Sequence, residues 1–311
     1  MTKRAFPKIG KPFSASLWAA LIIFYMSAIP RAAEAATRVV DDDGFASASD
    51  CDASQAAFSG IQSAVNAAAA GDTIQVCPGT YNEQVSVTRN YLTIVGTSTA
   101  ETIVRPTNVA PNATNLFGKP VASVFLVKDV TGSTIRDLTI DGSLADSGAN
   151  INAPCQTLPF YVGIFYRNSS GTLDSAHVTG FKSAASCAFG VRAETGDIVI
   201  NGSLFDNYGI SGIACSFTGT RCTLTYNTIR GQGPVADQSQ AGIQVRSGSA
   251  SKIAGNVISD HFLIGANGVP QSSVGIFLVY ATATSNPHIV HDNIFVGNQV
   301  NVQRIASARA F

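Results

Sequence analysis

The stretch GIQVRSGSASKIAGNVISDH, from Gly242 to His261, holds two short strand-like segments joined by a polar turn. Its apolar residues are mostly β-branched, and Gly, Ser, Asn and Asp punctuate them. That pattern is typical of an all-β chain. The stretch is one copy of a repeat that runs through most of the sequence.

Five segments of the repeat begin with Gly and a β-branched residue, and each is followed by a second short strand. They are GIFYRN at 163, GVRAET at 190, GIACSF at 212, GIQVRS at 242 and GIFLVY at 275, with spacings of 27, 22, 30 and 33 residues. The earlier pair SVFLVKD and STIRDLTIDGS follows the same scheme. A short unit with variable insertions predicts coils stacked about 4.8 Å apart, as in a parallel β-helix.

Asn227, Asn256 and Asn293 occupy one position of this repeat, each three residues after an apolar residue. Amide side chains stacked at a turn can satisfy backbone groups inside a coil. We therefore predict a structural Asn ladder at this position and not a binding site.

A helix is predicted over residues 58–70, within FSGIQSAVNAAAAGD. Ser59 and Gln62 fit a capping box, and Gly71 is suited to end the helix. Ile61, Val65 and Ala68 form one apolar face.

This helix is followed directly by TIQVCPGTYNEQVSV and LTIVG. The whole opening resembles the start of pectin-lyase-like right-handed parallel β-helix proteins. The resemblance implies a single-stranded right-handed parallel β-helix solenoid over residues 36–311, with coils over 73–311. The helix is then an N-terminal cap over the open end of the solenoid. It implies a fold, which by itself assigns no function.

The N-terminus has the pattern of a secretory signal over residues 1–35. Basic residues precede the apolar run LWAALIIFYMSAI, and Ala33-Glu34-Ala35 fits a cleavage site. The alternative is an uncleaved anchor. Removal of these residues takes away five of the 20 basic and one of the 20 acidic residues, which leaves a net charge of −4. We expect a secreted or periplasmic monomer with no membrane span, and the absence of a basic stripe argues against nucleic-acid binding.

All six cysteines follow the signal, which favours disulfides in an exported chain. Six cysteines allow 15 pairings in principle. The preferred pairs are Cys51–Cys77, Cys155–Cys187 and Cys215–Cys222, and buried free thiols are the alternative.

The catalytic signatures of the related enzyme groups are missing. The chain lacks the motifs of pectin methylesterases beyond the PGTY-x-E opening, and those of polygalacturonases and pectate lyases. NPHIVHDN, residues 286–293, is close to the Asp-Pro-His-Asp motif of mannuronan epimerases, but Asn286 and Ile289 replace both acids. His288 and His291 would point to opposite faces of a strand, so we expect a surface or turn histidine at 288. His177 and His261 are expected in similar polar positions.

Alignment of the Gly-led strands predicts which side chains face outward, because alternate residues of a strand point to opposite sides. The third and fifth residue of each segment then share one sheet face. This set places Arg167, Glu194 and Arg246 in a column, with Arg192 and Gln244 beside them. The further outward residues are Phe165, Phe277 and, in the coil before, Lys128.

Such a column suits an anionic sugar chain, since Arg pairs well with uronate carboxylates. In a β-elimination, Arg192, Glu194 and Arg246 are the catalytic candidates, although flanking arginines would make Glu194 a weak base. Arg167, Gln244, Lys128, Phe165 and Phe277 are the candidate substrate-binding residues. The alternative is a solvated β-face with cross-strand ion pairs.

Acidic residues cluster near the start of the mature chain. Asp41, Asp42 and Asp43, with Asp50 and Asp52 nearby, suggest either a weak calcium site or a solvated loop. Apart from calcium no cofactor is indicated.

Two functions remain open at this stage. The first is an exported protein that binds or processes envelope polysaccharide, in a lyase- or epimerase-like way if it is an enzyme. The second is a non-catalytic scaffold or adhesin. Insertions at 142–160 and 231–241 are expected to wall one side of a groove, and the tail VNVQRIASARAF predicts a last strand.

Overall fold

The computed structural model describes residues 35–44, 51, 57–143, 159–182, 187–235, 239–246, 249–264, 272–280 and 288–306. The predicted signal, residues 1–35, lies almost entirely outside these ranges and stays a prediction. Helix α1 spans Ile61–Ala67. The first twelve strands are β1 Thr37–Val40, β2 Thr73–Val76, β3 Gly79–Tyr81, β4 Val85–Val87, β5 Thr93–Gly96, β6 Thr102–Val104, β7 Ala113–Thr114, β8 Pro120–Lys128, β9 Ser133–Arg136, β10 Thr139–Asp141, β11 Phe160–Arg167 and β12 Gly171–Asp174. The others are β13 His177–Thr179, β14 Ala188–Asn201, β15 Leu204–Phe205, β16 Ser211–Thr225, β17 Thr228–Val235, β18 Ala241–Arg246, β19 Ala250–Ala254, β20 Val257–Leu263, β21 Val274–Tyr280, β22 His288–His291, β23 Ile294–Val296 and β24 Val300–Ala306.

These strands stack in three parallel ladders, which confirms the predicted parallel β-helix. Sheet 1 contains β4, β8, β11, the first halves of β14 and β16, β18, β21 and β24. Sheet 2 contains β1, β2, β5, β9, β12, the second halves of β14 and β16, β19 and β22. Sheet 3 contains β3, β6, β10, β13, β15, β17, β20 and β23. The long chain segments between strands fall mainly at the passage from sheet 3 to sheet 1, so one side of sheet 1 carries the insertions.

Helix α1 covers the first coil but is shorter than predicted and is capped differently. Ile61, Val65 and Ala68 are buried, as the apolar pattern indicated. Gly60, and not Ser59, is the N-cap residue, so the predicted capping box is wrong. The carboxylate of Glu83 accepts the N–H groups of Ile61 (2.6 Å) and Gln62 (2.9 Å) instead. A carboxylate at this end also complements the helix dipole.

The Gly residues near the start of the strands of sheet 1 form a column with no room for a side chain. A Cβ atom built on Gly190 would lie 2.6 Å from the carbonyl oxygen of Gly212, and one on Gly242 would lie 2.7 Å from that of Gly275. A ring from sheet 3 or the turn after it lies beside several of these positions, as Phe205 does at Gly190 and His261 at Gly242. The glycines therefore allow the coils to stack closely while aromatic rings fill the corner.

Substitution in this column should destabilise the fold in proportion to the crowding. Gly190→Ala is expected to lower the free energy of unfolding by about 2 kcal/mol, a usual cost of overpacking. Gly212→Ala should cost less, because its Cβ would lie 3.0 Å from the nearest carbonyl oxygen. Denaturant unfolding of both variants measures the two losses. Equal stability of Gly190→Ala and the parent would contradict the close stacking.

The Asn ladder forms as predicted. The Oδ1 atom of Asn256 accepts from the backbone N–H of Asn227 (2.9 Å), and the Oδ1 atom of Asn293 accepts from that of Asn256 (3.0 Å). Each Nδ2 group donates to a backbone carbonyl of the preceding coil, such as that of Leu224 for Asn256. These amides use their hydrogen-bonding capacity within the solenoid, which accords with a structural role.

The lumen is filled by aliphatic and aromatic side chains from all three sheets, including Ile94, Ile135 and Tyr166. The predicted last strand is present as β24. Among the described residues, no helix is long and apolar enough to cross a membrane.

Two of the predicted disulfides are present, Cys51–Cys77 and Cys215–Cys222. Cys187 is also disulfide-bonded. Its predicted partner, Cys155, lies outside the described residues.

Candidate functional site

The outward side of sheet 1 aligns the polar residues that the sequence singled out. Register places Lys128, Arg167, Glu194, Ser216 and Arg246 at one position of successive strands. We call these five residues the charged column. A second column, two residues earlier in each strand, contains Leu126, Phe165, Arg192, Ala214, Gln244, Phe277 and Gln303. The residues between the columns, such as Tyr166 and Val245, point into the lumen.

Part of this face is covered by residues 105–119, which we call the strap. Strand β7 of the strap pairs antiparallel with the start of β8. The side chain of Asn112 accepts from the N–H (3.1 Å) and hydroxyl (2.9 Å) of Ser123 and donates to its carbonyl (2.9 Å). Further along, the N–H of Leu116 donates to Glu194 Oε2 at 2.8 Å. Because Glu194 lies on β14, two strands from β8, the strap crosses β11 to reach it.

Under the strap lies a buried ion pair. Arg192 Nε donates to Glu194 Oε1, and Arg192 Nη2 lies 2.7 Å from the same oxygen. The guanidinium also lies 5.0 Å from the ring centre of Phe160 and 5.2 Å from that of Phe189. Burial lowers the pKa of Arg192, and the charge of Glu194 opposes that shift. Both side chains are buried, with exposures of 4% and 0%.

This burial corrects the sequence analysis at three positions. Arg192, Glu194 and Phe165 do point away from the lumen, but the strap and an apolar cluster around Phe165 cover them. The prediction that these three side chains are exposed on the outward side of sheet 1 is therefore wrong. Because the strap and this cluster cover them, a polymer that lies on the outward side of sheet 1 would not touch these three residues. No sequence pattern indicated this burial, because the covering segment comes from the coil before Phe165 and extends across β11 to β14.

Four of the other five candidates lie on the accessible part of the face, and the fifth, Gln244, is buried with an exposure of 8%. Lys128 is exposed and Arg167 is half-buried. Arg246 is also half-buried, and burial together with the nearby charge of Arg192 lowers its pKa. Gln244 and Phe277 line a concave pocket of about 140 Å³ with Gln303, Gln240, Ser239 and Ser272. Gln303, Ser216 and the strap residues were not predicted as site residues.

The predicted insertions take different forms. Residues 231–235, part of the second expected wall, belong to strand β17. Residues 144–158 and 236–238 lie outside the described residues. The chain at 239–240 and 272 does border the pocket, so the sheet-3 to sheet-1 passage forms one of its sides.

The histidines are more buried and better satisfied than expected. His288 is buried and its Nδ1 lies 3.0 Å from Ser251 Oγ, so the prediction of a surface or turn residue is wrong. His261 is fully buried and contacts Tyr208 and Asn298. His177 pairs with Asp206 at 3.1 Å, a partner that the sequence did not reveal. These side chains fit roles in the scaffold.

Within the described ranges, no group of three or more His, Cys, Asp or Glu side chains is placed to hold a metal ion. Asp41, Asp42 and Asp43 are described, whereas Asp50 and Asp52 are not. Calcium thus has no support from the described residues.

Several solved structures and one protein family are similar to this chain. No curated protein matches it. Among solved structures, a pectin methylesterase from Yersinia enterocolitica has a TM-score of 0.47 and 14% identity, covering 81% of this chain and 95% of its own. The pectin methyl esterase of rice weevil has a TM-score of 0.43 and 15% identity, covering 79% and 87%. ORF18 of Geobacillus virus E2 has a TM-score of 0.41 and 11% identity, covering 95% and 64%.

The sequence itself matches one protein family over most of its length. The match covers residues 65–308, from helix α1 into the region that follows β24, and so includes every coil after β1. The family carries the description "Periplasmic copper-binding protein (NosD)", and by this match the chain belongs to the NosD family.

Proposed function

We propose that this protein binds a uronate-containing envelope polysaccharide along the accessible outward side of sheet 1. The observation that carries the proposal is the pocket lined by Gln244 and Phe277, since Arg246 of the charged column lies two residues from Gln244 on the same side of strand β18. Amide and hydroxyl groups and an aromatic side chain in a concave site supply the hydrogen bonds and apolar surface that a sugar ring requires. Arg246 adds a group suited to carboxylates.

The geometry favours binding over processing. Of the three catalytic candidates, Arg192 and Glu194 are buried under the strap, and only Arg246 lies where it can reach a bound polymer. Lyase- or epimerase-like processing would need Arg246 to act as a base. Although its pKa is lowered, arginine keeps its proton in almost all protein settings. We therefore assign Arg246 to charge recognition.

A scaffold role is the second candidate, and the same burial favours it. If the Arg192–Glu194 pair serves only to hold the strap, the outward side of sheet 1 needs no ligand. The two functions differ in a simple measurement, because a scaffold would bind none of the acidic polysaccharides in solution.

The family description names copper, so a copper site would need suitable ligands among the described residues. Copper sites in proteins use His, Cys and Met ligands. The five described cysteines are all in disulfides, and both methionines lie within residues 1–35. Each described histidine has a non-metal partner, such as Asp206 for His177. The described residues do not fit a copper site, and the proposed function involves no copper.

The proposal predicts that Phe277→Ala weakens binding about tenfold, a usual effect of removing a central aromatic contact. The measurement is isothermal titration with alginate, pectate, hyaluronan and chondroitin, with calcium present. Tyr226→Ala is the matched control, since Tyr226 is an exposed aromatic residue at another corner of the solenoid. The absence of binding to all four polymers would refute the proposal and favour the scaffold.

The same samples test for processing. Growth of unsaturated-uronate absorbance that is lost in Arg246→Ala would show lyase activity and reverse our preference for binding. A constant absorbance together with measurable binding is the expected result.

A further inference from the structure

The charged column contains hydrogen-bonding atoms that the protein leaves without partners. Ser216 Oγ and Arg167 Nε are buried and make no hydrogen bond. Both residues flank Glu194 in the register, one on each side. Buried polar atoms are nearly always satisfied, so each such exception calls for an explanation.

Glu194 does not provide the missing partner, because neither atom makes a hydrogen bond to its carboxylate. Oε1 accepts from Arg192, and Oε2 accepts from the N–H of Leu116. Arg167 Nε lies 3.8 Å from Oε2, which is beyond hydrogen-bonding distance. The Nδ2 group of Asn115, the strap residue next to Leu116, is likewise buried without a partner.

The charged side chains around Ser216 have an excess of positive charge. Arg167, Arg192 and Arg246 carry three positive charges, and Glu194 is the one acid that pairs with any of them among the described residues. Arg246 follows Ser216 in the column and has no ion pair within the described ranges. A partly buried cation without a counterion is unfavourable, and a bound anion would relieve that cost.

We propose that the half-buried Arg167 and Arg246, with the buried hydroxyl of Ser216 between them in the register, form a subsite for a carboxylate, which fixes the register of a uronate polymer on the charged column. This inference rests on the proposed function in taking the carboxylate from a uronosyl residue. An arginine guanidinium and a hydroxyl donor suit a carboxylate, whose two oxygens can accept from both. The adjacent pocket at Gln244 and Phe277 then receives the neighbouring sugar along the same face.

The test compares one backbone with and without its carboxylates. Wild type is titrated at low salt with polygalacturonate and with carboxyl-reduced polygalacturonate. We expect at least about tenfold tighter binding of the acidic form, as a charged hydrogen bond commonly provides. Arg246→Gln and Ser216→Ala should abolish this preference, because binding of the acidic form falls towards that of the reduced form. Lys252→Gln is the control, since it removes an exposed charge from sheet 2.

The outcomes separate the subsite from the proposed function. Equal binding of both polymers by wild type, with no change in Arg246→Gln, overturns the subsite and leaves polysaccharide binding intact. If neither polymer binds, the proposed function fails for this polymer. The subsite is then tested with sodium galacturonate and sodium sulfate, by chemical-shift changes at Ser216 that Arg246→Gln removes. A response to sulfate but not to galacturonate overturns the carboxylate assignment, and a response to neither overturns the subsite.

A stability measurement guards against a merely structural role. If Arg246 lacks a counterion, Arg246→Gln should unfold at the same temperature as wild type or a higher one. A lower melting temperature would mean that the protein itself provides the partner of Arg246, which also overturns the subsite.

Discussion

Replacement of Glu194 by Ala is expected to lower the free energy of unfolding by about 3–5 kcal/mol, because it leaves a buried guanidinium without its counterion. Glu194 is fully buried, and Arg192 has no other ion-pair partner among the described residues. The substitution also removes the acceptor of the Leu116 N–H, so the strap loses its hydrogen bond to β14. Denaturant unfolding measures the first effect, and amide hydrogen exchange across residues 105–119 measures the second.

Two further variants isolate the cause. The double substitution Arg192→Met with Glu194→Leu should recover much of the loss, since a matched apolar pair removes both buried charges. Asp197→Ala is the control, because Asp197 pairs with Arg221 in an exposed ion pair, and such pairs contribute little. Equal free energies of unfolding for Glu194→Ala and wild type would show that the buried ion pair under the strap does not stabilise the fold.

The repeat made most of the fold predictable. Alternation within the Gly-led strands gave the lumen and outward sides correctly, because a strand has a fixed period of two and every coil shares one register. The Asn ladder and β24 followed from the same repetition. Membership of the NosD family, described as periplasmic, confirms the predicted export. Carbohydrate binding stays a prediction.

The predictions that failed share a physical cause. The residues that contact the mispredicted groups are distant from them in sequence. Ser59 and Gln62 matched a capping box, but the carboxylate of Glu83, 21 residues after Gln62, accepts from the N–H groups of Ile61 and Gln62 with a full negative charge. A local sequence pattern cannot show whether a distant residue will replace the local hydrogen-bond partner.

The candidate site shows the same limit on a larger scale. The order of charges in the column could be read from the strands, whereas their accessibility could not. The strap occupies an insertion between β6 and β8 that carries no repeat signal. Its decisive contact, the Leu116 N–H to Glu194, joins residues 78 positions apart. Only the three-dimensional structure distinguishes the covered end of the face from the accessible pocket.

The buried His261 should make the protein less stable as the pH falls from about 6.5 to about 4. Burial lowers the pKa of His261 to about 4, although Asn298 and Asp260 favour its protonated form. Above pH 6.5 the side chain is neutral in both states and the group contributes no pH dependence. Below it the unfolded chain binds a proton that the folded chain does not, so stability is lost, up to about 3 kcal/mol near pH 4.

The surroundings of the imidazole explain why the neutral form is favoured. Asn298 Nδ2 donates to the carbonyl of Ile258, so its Oδ1 accepts from His261 Nδ1–H at 2.7 Å. His261 Nε2 then accepts from the hydroxyl of Tyr208. The ring lies against Gly242, where a Cβ atom would be 3.0 Å from Nε2. A neutral tautomer is fully satisfied there, whereas an added proton on Nε2 would compete with the Tyr208 hydroxyl hydrogen in a buried site.

The measurement is the free energy of unfolding of wild type and His261→Gln at pH 7, 5.5 and 4. Carboxylates also titrate in this range: hydrogen bonds from the backbone N–H groups of Ala36 and Ala69 lower the pKa of Asp72 in the folded state, and the hydrogen bond from Arg221 lowers that of Asp197. The difference between the two proteins removes that shared background. His261→Gln should therefore lose less stability on acidification than wild type. Parallel pH profiles for wild type and His261→Gln would show that His261 is protonated in the fold as readily as in the unfolded chain.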